Sequence, residues 1–139
     1  MISARSASKA AIKGLNSVLE GFISEPQVEA QEGEGSISMK ITFEVVKEGE
    51  LSAGGETRKV KPGKYEMEVE VTFSKRGSNM IEAHFAGKCG DAQLSDMYVV
   101  EEKKLDFVRG WLADKIASLA VQCATEAEET ADIGGVLGW

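Results

Sequence analysis

Aromatic side chains and long apolar runs are both scarce in this sequence. Aromatic residues make up 6% of the 139 residues, so we expect a core built mostly from aliphatic side chains. No stretch approaches the ~20 consecutive apolar residues that a membrane-spanning helix needs, and residues 1–7 lack the apolar block of a secretory signal peptide. The expected location is therefore the cytoplasm, or a particle assembled in the cytoplasm.

The sequence also lacks an excess of basic residues. Lys and Arg total 16 against 23 Asp and Glu, which gives a formal net charge of −7. A general nucleic-acid binder needs a cationic face that displaces counterions from phosphates, and an anionic membrane surface repels an acidic protein. We therefore expect protein partners, through self-association or a multi-subunit assembly, and neither nucleic acid nor membrane.

Cysteine and histidine are too few for a metal site of the usual kind. The two cysteines, Cys89 and Cys123, lie far apart in sequence and form no dense disulfide framework. We expect both to be buried free thiols that act as small apolar residues. A structural zinc site needs four ligands with pairs at short spacing, and His84 adds only one. The sequence predicts no metal and no cofactor.

Two segments have the apolar periodicity of amphipathic helices. In residues 3–23, apolar residues recur at spacings of three and four, beginning with small alanines that suit close packing. Pro26 is expected to end this helix. Residues 103–129 carry the longer apolar stripe and predict a C-terminal helix.

Between the helices, apolar and polar residues alternate in segments that predict half-buried strands. The predicted strands are 36–46, 65–75, 80–88 and 97–101. Residues 27–35 are interpreted as a loop, with a short strand at its start as the alternative. The predicted fold is one α+β domain over residues 1–139, with an antiparallel meander of about four strands and both helices packed on one sheet face.

The possible catalytic and charged groups have simple structural interpretations. A catalytic histidine needs a nucleophile or acid and an orienting group; His84 alternates to the outward face, where we expect an ordinary surface histidine. Glu66, Glu68 and Glu70 line one face of a strand. We interpret them as a solvated sheet face, with Lys40 on a neighbouring strand available for cross-strand pairing.

A basic cluster lies in the segment 47–64, which is predicted to be a long projecting loop or hairpin. The cluster contains Arg58, Lys59, Lys61 and Lys64, of which the first three are predicted to contact a partner. The glycine spacing is too long for a phosphate-binding loop, and the residue after Lys64 is neither Ser nor Thr. The functional hypothesis is an arm that docks on an acidic partner surface.

The segment 130–139 is an apolar, glycine-rich tail. Its large side chains include Val136, Leu137 and Trp139. Tryptophan is a frequent anchor in protein interfaces, so these residues are predicted to contact a partner.

Three function classes fit these patterns. The leading hypothesis is a non-enzymatic structural or interaction subunit of a larger assembly, such as a tail, neck or capsid-associated component of a virus or phage particle. The alternatives are a chaperone-like module that binds apolar ligands or peptides, and an enzyme whose site is not visible in the sequence.

Overall fold

Along the chain, one helix precedes a series of antiparallel strands and a second helix follows it. The computed structural model describes residues 2–53 and 55–127. In this part of the chain the helices are α1 (Ala4–Leu19) and α2 (Phe107–Ala124), with a 3-10 turn over Glu102–Lys104 before α2. The strands are β1 (Gln27–Gly33), β2 (Ser36–Val45), β3 (Gly49–Ala53), β4 (Glu56–Val60), β5 (Gly63–Arg76), β6 (Met80–Cys89), β7 (Ala92–Glu101) and β8 (Thr125–Ala127). Neither described helix is long and apolar enough to cross a membrane.

Five strands form the main sheet, in the order β1-β2-β5-β6-β7, with every neighbouring pair antiparallel. Residue alternation gives this sheet two different faces. In β2, Ile37, Met39, Ile41, Phe43 and Val45 are buried, and the residues between them are exposed. The buried side is the inner face, and the exposed side is the outer face.

Both helices pack on the inner face of the main sheet. Helix α1 contacts β1 and β2, and α2 contacts β5, β6 and β7. The helices also contact each other. The predicted α+β fold, with an N-terminal helix, an antiparallel sheet and a C-terminal helix packed on that sheet, is confirmed.

Strand β1 replaces most of the predicted 27–35 loop. Its residues Val28 and Ala30 are half-buried and pack against the core, while the residues on either side of each are exposed. An edge strand needs few apolar residues. The acidic, glycine-containing sequence of β1 therefore did not predict a strand over its full length.

Strand β7 begins five residues before the predicted strand 97–101. The register places Asp96 opposite Phe85, on the inner face of the sheet, where it interrupts the apolar alternation. The Asp96 carboxylate pairs with the Lys115 ammonium of α2. That ammonium, followed by the Met97 backbone N–H, lowers the pKa of Asp96 below its ordinary value.

Both helices are shorter than predicted. Helix α1 ends at Leu19, because the chain turns at Gly21 with a φ of 88°. Phe22 and Ile23 continue the helical spacing but join the strands instead: the Phe22 carbonyl accepts from the Val46 N–H, and Ile23 bridges to Val45. Helix α2 begins at Phe107, after the 3-10 turn, and ends at Ala124, where β8 begins; positions 128 and 129 of the predicted helix lie outside the described residues.

The predicted 47–64 connection contains a hairpin that belongs to a second sheet, which we call the small sheet. Strands β3 and β4 pair with each other, and β4 pairs on its other side with β8. Val60 at the end of β4 is fully buried. The hairpin therefore docks on its own chain through the segment that follows α2.

The two cysteines form a disulfide, so the prediction of two free thiols was wrong. Cys89 ends β6 on the inner face, and Cys123 lies in the last turn of α2, which packs over that strand. Their Cα atoms are 5.7 Å apart. A helix that returns across a sheet brings together residues that are distant in sequence, and the sequence alone did not reveal this crossing.

The helix–helix contact depends on Gly14. A Cβ atom added to Gly14 would lie 2.4 Å from the backbone carbonyl oxygen of Ala113, so the two helices touch through their backbones. Gly110 is the glycine of α2. A Cβ atom added to Gly110 would have no described atom within 4 Å other than those of its own stretch of helix.

The two helical glycines should respond in opposite ways to alanine. We expect Gly14→Ala to lower the free energy of unfolding by about 1–3 kcal/mol, because the helices must separate. Gly110→Ala should raise it by roughly 0.5–1 kcal/mol, because alanine is the better helix former. Urea denaturation of both variants measures this. Equal effects would contradict the backbone contact at Gly14.

Removing the disulfide should destabilise the fold. The bond joins residues separated by 34 positions, and cross-linking a loop of that size stabilises a protein by roughly 3–4 kcal/mol through the entropy of the unfolded chain. Urea denaturation with and without dithiothreitol tests this. The double variant Cys89→Ala/Cys123→Ala is the control, since its midpoint must not respond to the reductant. Two reactive thiols in the untreated protein would refute the bond.

Candidate protein-interaction surfaces

Arg58, which the sequence assigned to partner binding, is engaged within its own chain. Its Nε donates to Thr125 Oγ1 at 2.6 Å, and Nη1 lies 3.1 Å from Glu56 Oε1. Thr125 is 2% exposed, and its hydroxyl donates to the Val121 carbonyl oxygen. Arg58 therefore joins β4 to β8, which leaves its guanidinium less suited to a partner surface.

The other two basic residues differ in exposure. Lys59 is exposed and pairs in register with Glu126 of β8. Lys61 is half-buried; its N–H donates to the Ala124 carbonyl, and its own carbonyl accepts from the Tyr65 hydroxyl at 2.8 Å. Burial, then the Glu126 carboxylate, raises the pKa of Tyr65. Of Arg58, Lys59 and Lys61, Lys59 alone is exposed.

The predicted partner residues of the tail, Val136, Leu137 and Trp139, lie outside the residues that the structure describes. The tail therefore stays a sequence-based prediction. The described chain ends at Ala127 in β8, beside the docked β4 strand.

The outer face of the main sheet carries a row of alternating charges. Glu29, Lys40, Glu68 and Lys88 are direct neighbours across β1, β2, β5 and β6. We call these four residues the charge row. All four are exposed. With strands about 4.8 Å apart, the charges form a line across the sheet with signs −, +, −, +.

Strand β5 presents carboxylates directly opposite hydrogen-bond donors of β2. The opposed pairs are Ser38–Glu70, Lys40–Glu68 and Thr42–Glu66. The closest charged contact, Lys40 Nζ to Glu66 Oε2, is diagonal and measures 3.6 Å. Lys88 Nζ lies 3.8 Å from Glu68 Oε1. The cross-strand pairing expected for Lys40 is therefore present, although pairs this exposed contribute little to stability.

Small side chains beside the charge row form a shallow depression. Ser38, Ala86 and Ser95 occupy the row next to Glu70, and the depression between them has a volume of about 640 Å³. It is open to solvent and floored by the sheet backbone, and it supplies room for side chains from a facing surface.

His84 is exposed, as expected. Its Nε2 lies 2.7 Å from Glu82 Oε1 on the same strand. The carboxylate of Asp96 lies on the opposite face of the sheet from His84, where it pairs with Lys115. The residue directly across from His84 on β7 is Met97. Among the residues that the structure describes, no group of three or more His, Cys, Asp or Glu is arranged to hold a metal ion.

A second depression, of about 510 Å³, lies between the exposed sides of the two helices. Lys9 and Lys13 of α1 and Arg109 of α2 line it, together with Asp106 and Asp114. Gly14 at its base is the helix contact described above, so helix packing accounts for its shape.

Replacing Arg58 should destabilise the attachment of β4 to β8. We expect Arg58→Ala to lower the free energy of unfolding by about 2 kcal/mol, because buried Thr125 loses a charged donor. Lys59→Ala, on the same strand but exposed, should change it by less than about 0.5 kcal/mol. Urea denaturation compares the two, and an equal response would contradict a structural role for Arg58.

No protein-family model, no curated protein and no solved structure matches this chain. Its function is therefore inferred from its own surfaces, among which the outer face of the main sheet carries exposed charges of both signs in register.

Proposed function

We propose that this chain is a non-enzymatic interaction subunit of a larger protein assembly, and that it docks through the outer face of the main sheet. One observation carries the proposal: both helices pack on the inner face, while the outer face presents exposed charges of both signs in register. Ordered charges of both signs suit a protein partner of complementary pattern, because such patterns set orientation and association rate.

Three of the described ionisable side chains that could serve a catalytic site are paired within the chain. Asp96 holds Lys115, His84 contacts Glu82, and Arg58 holds β8. These pairs favour the interaction subunit over the enzyme alternative. A virus or phage particle component, as one concrete form of such an assembly, stays a prediction from the sequence.

A chaperone-like module that binds apolar ligands receives less support. Such a module needs a contiguous exposed apolar patch. In the described part of the chain, the large apolar side chains that are exposed belong to separate segments: Ile12 in α1, Val46 after β2, Met97 in β7 and Phe107 in α2. The buried apolar residues of the main sheet face the helices instead.

The disulfide bears on the compartment in which the subunit works. Disulfides persist in oxidising environments and are rare where glutathione keeps thiols reduced. The Cys89–Cys123 bond therefore favours an assembly that matures in an oxidising compartment or outside the cell, over the cytoplasmic location expected from the sequence.

A photo-crosslinking amino acid on the outer face tests the proposal. We expect p-benzoylphenylalanine in place of Ser38, in cells that contain the natural assembly, to give a discrete adduct with a protein after irradiation. The same residue in place of Asn16, exposed on α1, is the control and should give none. Adducts from both positions, or from neither, would contradict docking through the outer face.

A further inference from the structure

We infer that the outer face of the main sheet pairs with the outer face of a second copy of this chain. The inference rests on the proposed function and names the partner. It starts from the order of signs in the charge row, which is −, +, −, + across β1, β2, β5 and β6. A row with this order becomes its own complement when it is reversed end to end.

A two-fold axis parallel to the strands, midway between β2 and β5, performs this reversal. Glu29 then faces Lys88 of the second copy, and Lys40 faces Glu68 of the second copy. All four positions of the row meet the opposite sign. A two-fold axis that runs across the strands would instead place each residue of the row opposite the same residue of the second copy. Glutamate would then face glutamate, and lysine would face lysine. Charge therefore selects one of the two orientations, and a two-fold dimer is the usual form of self-association.

The neighbouring rows satisfy the same axis. It places the outward residues of β5 against those of β2 in the second copy, at unchanged height along the strands. The facing pairs are then Glu70 with Ser38, Glu68 with Lys40 and Glu66 with Thr42. Each carboxylate meets a hydroxyl or ammonium donor, and the depression beside Ser38 and Ala86 gives these side chains room.

The size of the face predicts a weak dimer. Four strands at about 4.8 Å spacing and ~8 residues at about 3.3 Å each give a flat footprint of ~500 Å² per copy. A standard stable interface buries about 800 Å² per partner, so we expect a dissociation constant in the micromolar range. Because exposed charges carry the specificity, added salt should weaken the dimer.

Two double variants separate pairing between copies from pairing within one sheet. Lys40→Glu/Lys88→Glu makes the charge row entirely negative, and Glu29→Lys/Glu68→Lys makes it entirely positive. Neither variant retains opposite charges within its own row. We expect each alone to dimerise at least about tenfold more weakly than the unaltered chain, because like charges face each other. An equimolar mixture should form a heterodimer at least about tenfold tighter than either homodimer.

Sedimentation equilibrium at low salt measures all four samples, starting near ~100 µM so that a micromolar dimer is populated. Circular dichroism and the thermal midpoint confirm that each variant is folded, which is expected because the substituted side chains are exposed. Dimer formation by the unaltered chain, its loss in each variant and its return in the mixture support the inference.

Two outcomes overturn it. One is a 14.9 kDa monomer for the unaltered chain under these conditions. The other is a dimer that persists in both variants, which would place the contact on another surface. A discrete crosslink from position 38 to a different protein, with no self-association, overturns pairing between copies and leaves the proposed function standing.

Discussion

The structure depends on three consecutive residues at the end of α2. Cys123 is bonded to Cys89 of the main sheet, the Ala124 carbonyl accepts from the Lys61 N–H at 2.9 Å, and buried Thr125 accepts from Arg58. One short stretch of chain therefore holds the helix to the main sheet and the small sheet to the helix. Without it, the β3–β4 hairpin would be a two-stranded ribbon, which is marginally stable by itself in water.

The sequence predicted the parts of the fold that depend on local pattern. Strands β2, β5 and β6 alternate so regularly that their positions and faces follow from the side-chain period alone. The two helices follow from their apolar stripes in the same way. Their ends did not, because Phe22 and Leu105 fit the helical spacing and pack against the core while lying in turns outside the helices. Periodicity predicts which residues are buried, but it does not predict which elements they pack against.

The features that were missed all depend on contacts with another segment of the chain, near or distant in sequence. Strand β1 is defined by its pairing with β2, and β4 by its pairing with β3 and β8. The disulfide forms only because α2 crosses β6. Of the candidate site, the glutamate face and its pairing with Lys40 were visible in the sequence. The role of Arg58 was not, because nothing local indicates that its guanidinium reaches a threonine 67 positions away. The local sequence does not distinguish an arginine in an exposed loop from an arginine that links two strands.

The alternation of β5 has a consequence for the chain before it folds. Met67, Val69, Val71 and Phe73 form an apolar set that would favour cross-β stacking in an unfolded or newly made chain. Glu68 and Glu70, which lie between these residues, add negative charge to the segment, and such residues act as gatekeepers against stacking of identical segments. The same carboxylates that pattern the folded surface therefore keep the central strand soluble while its eventual neighbours, β2 and β6, are still finding their register.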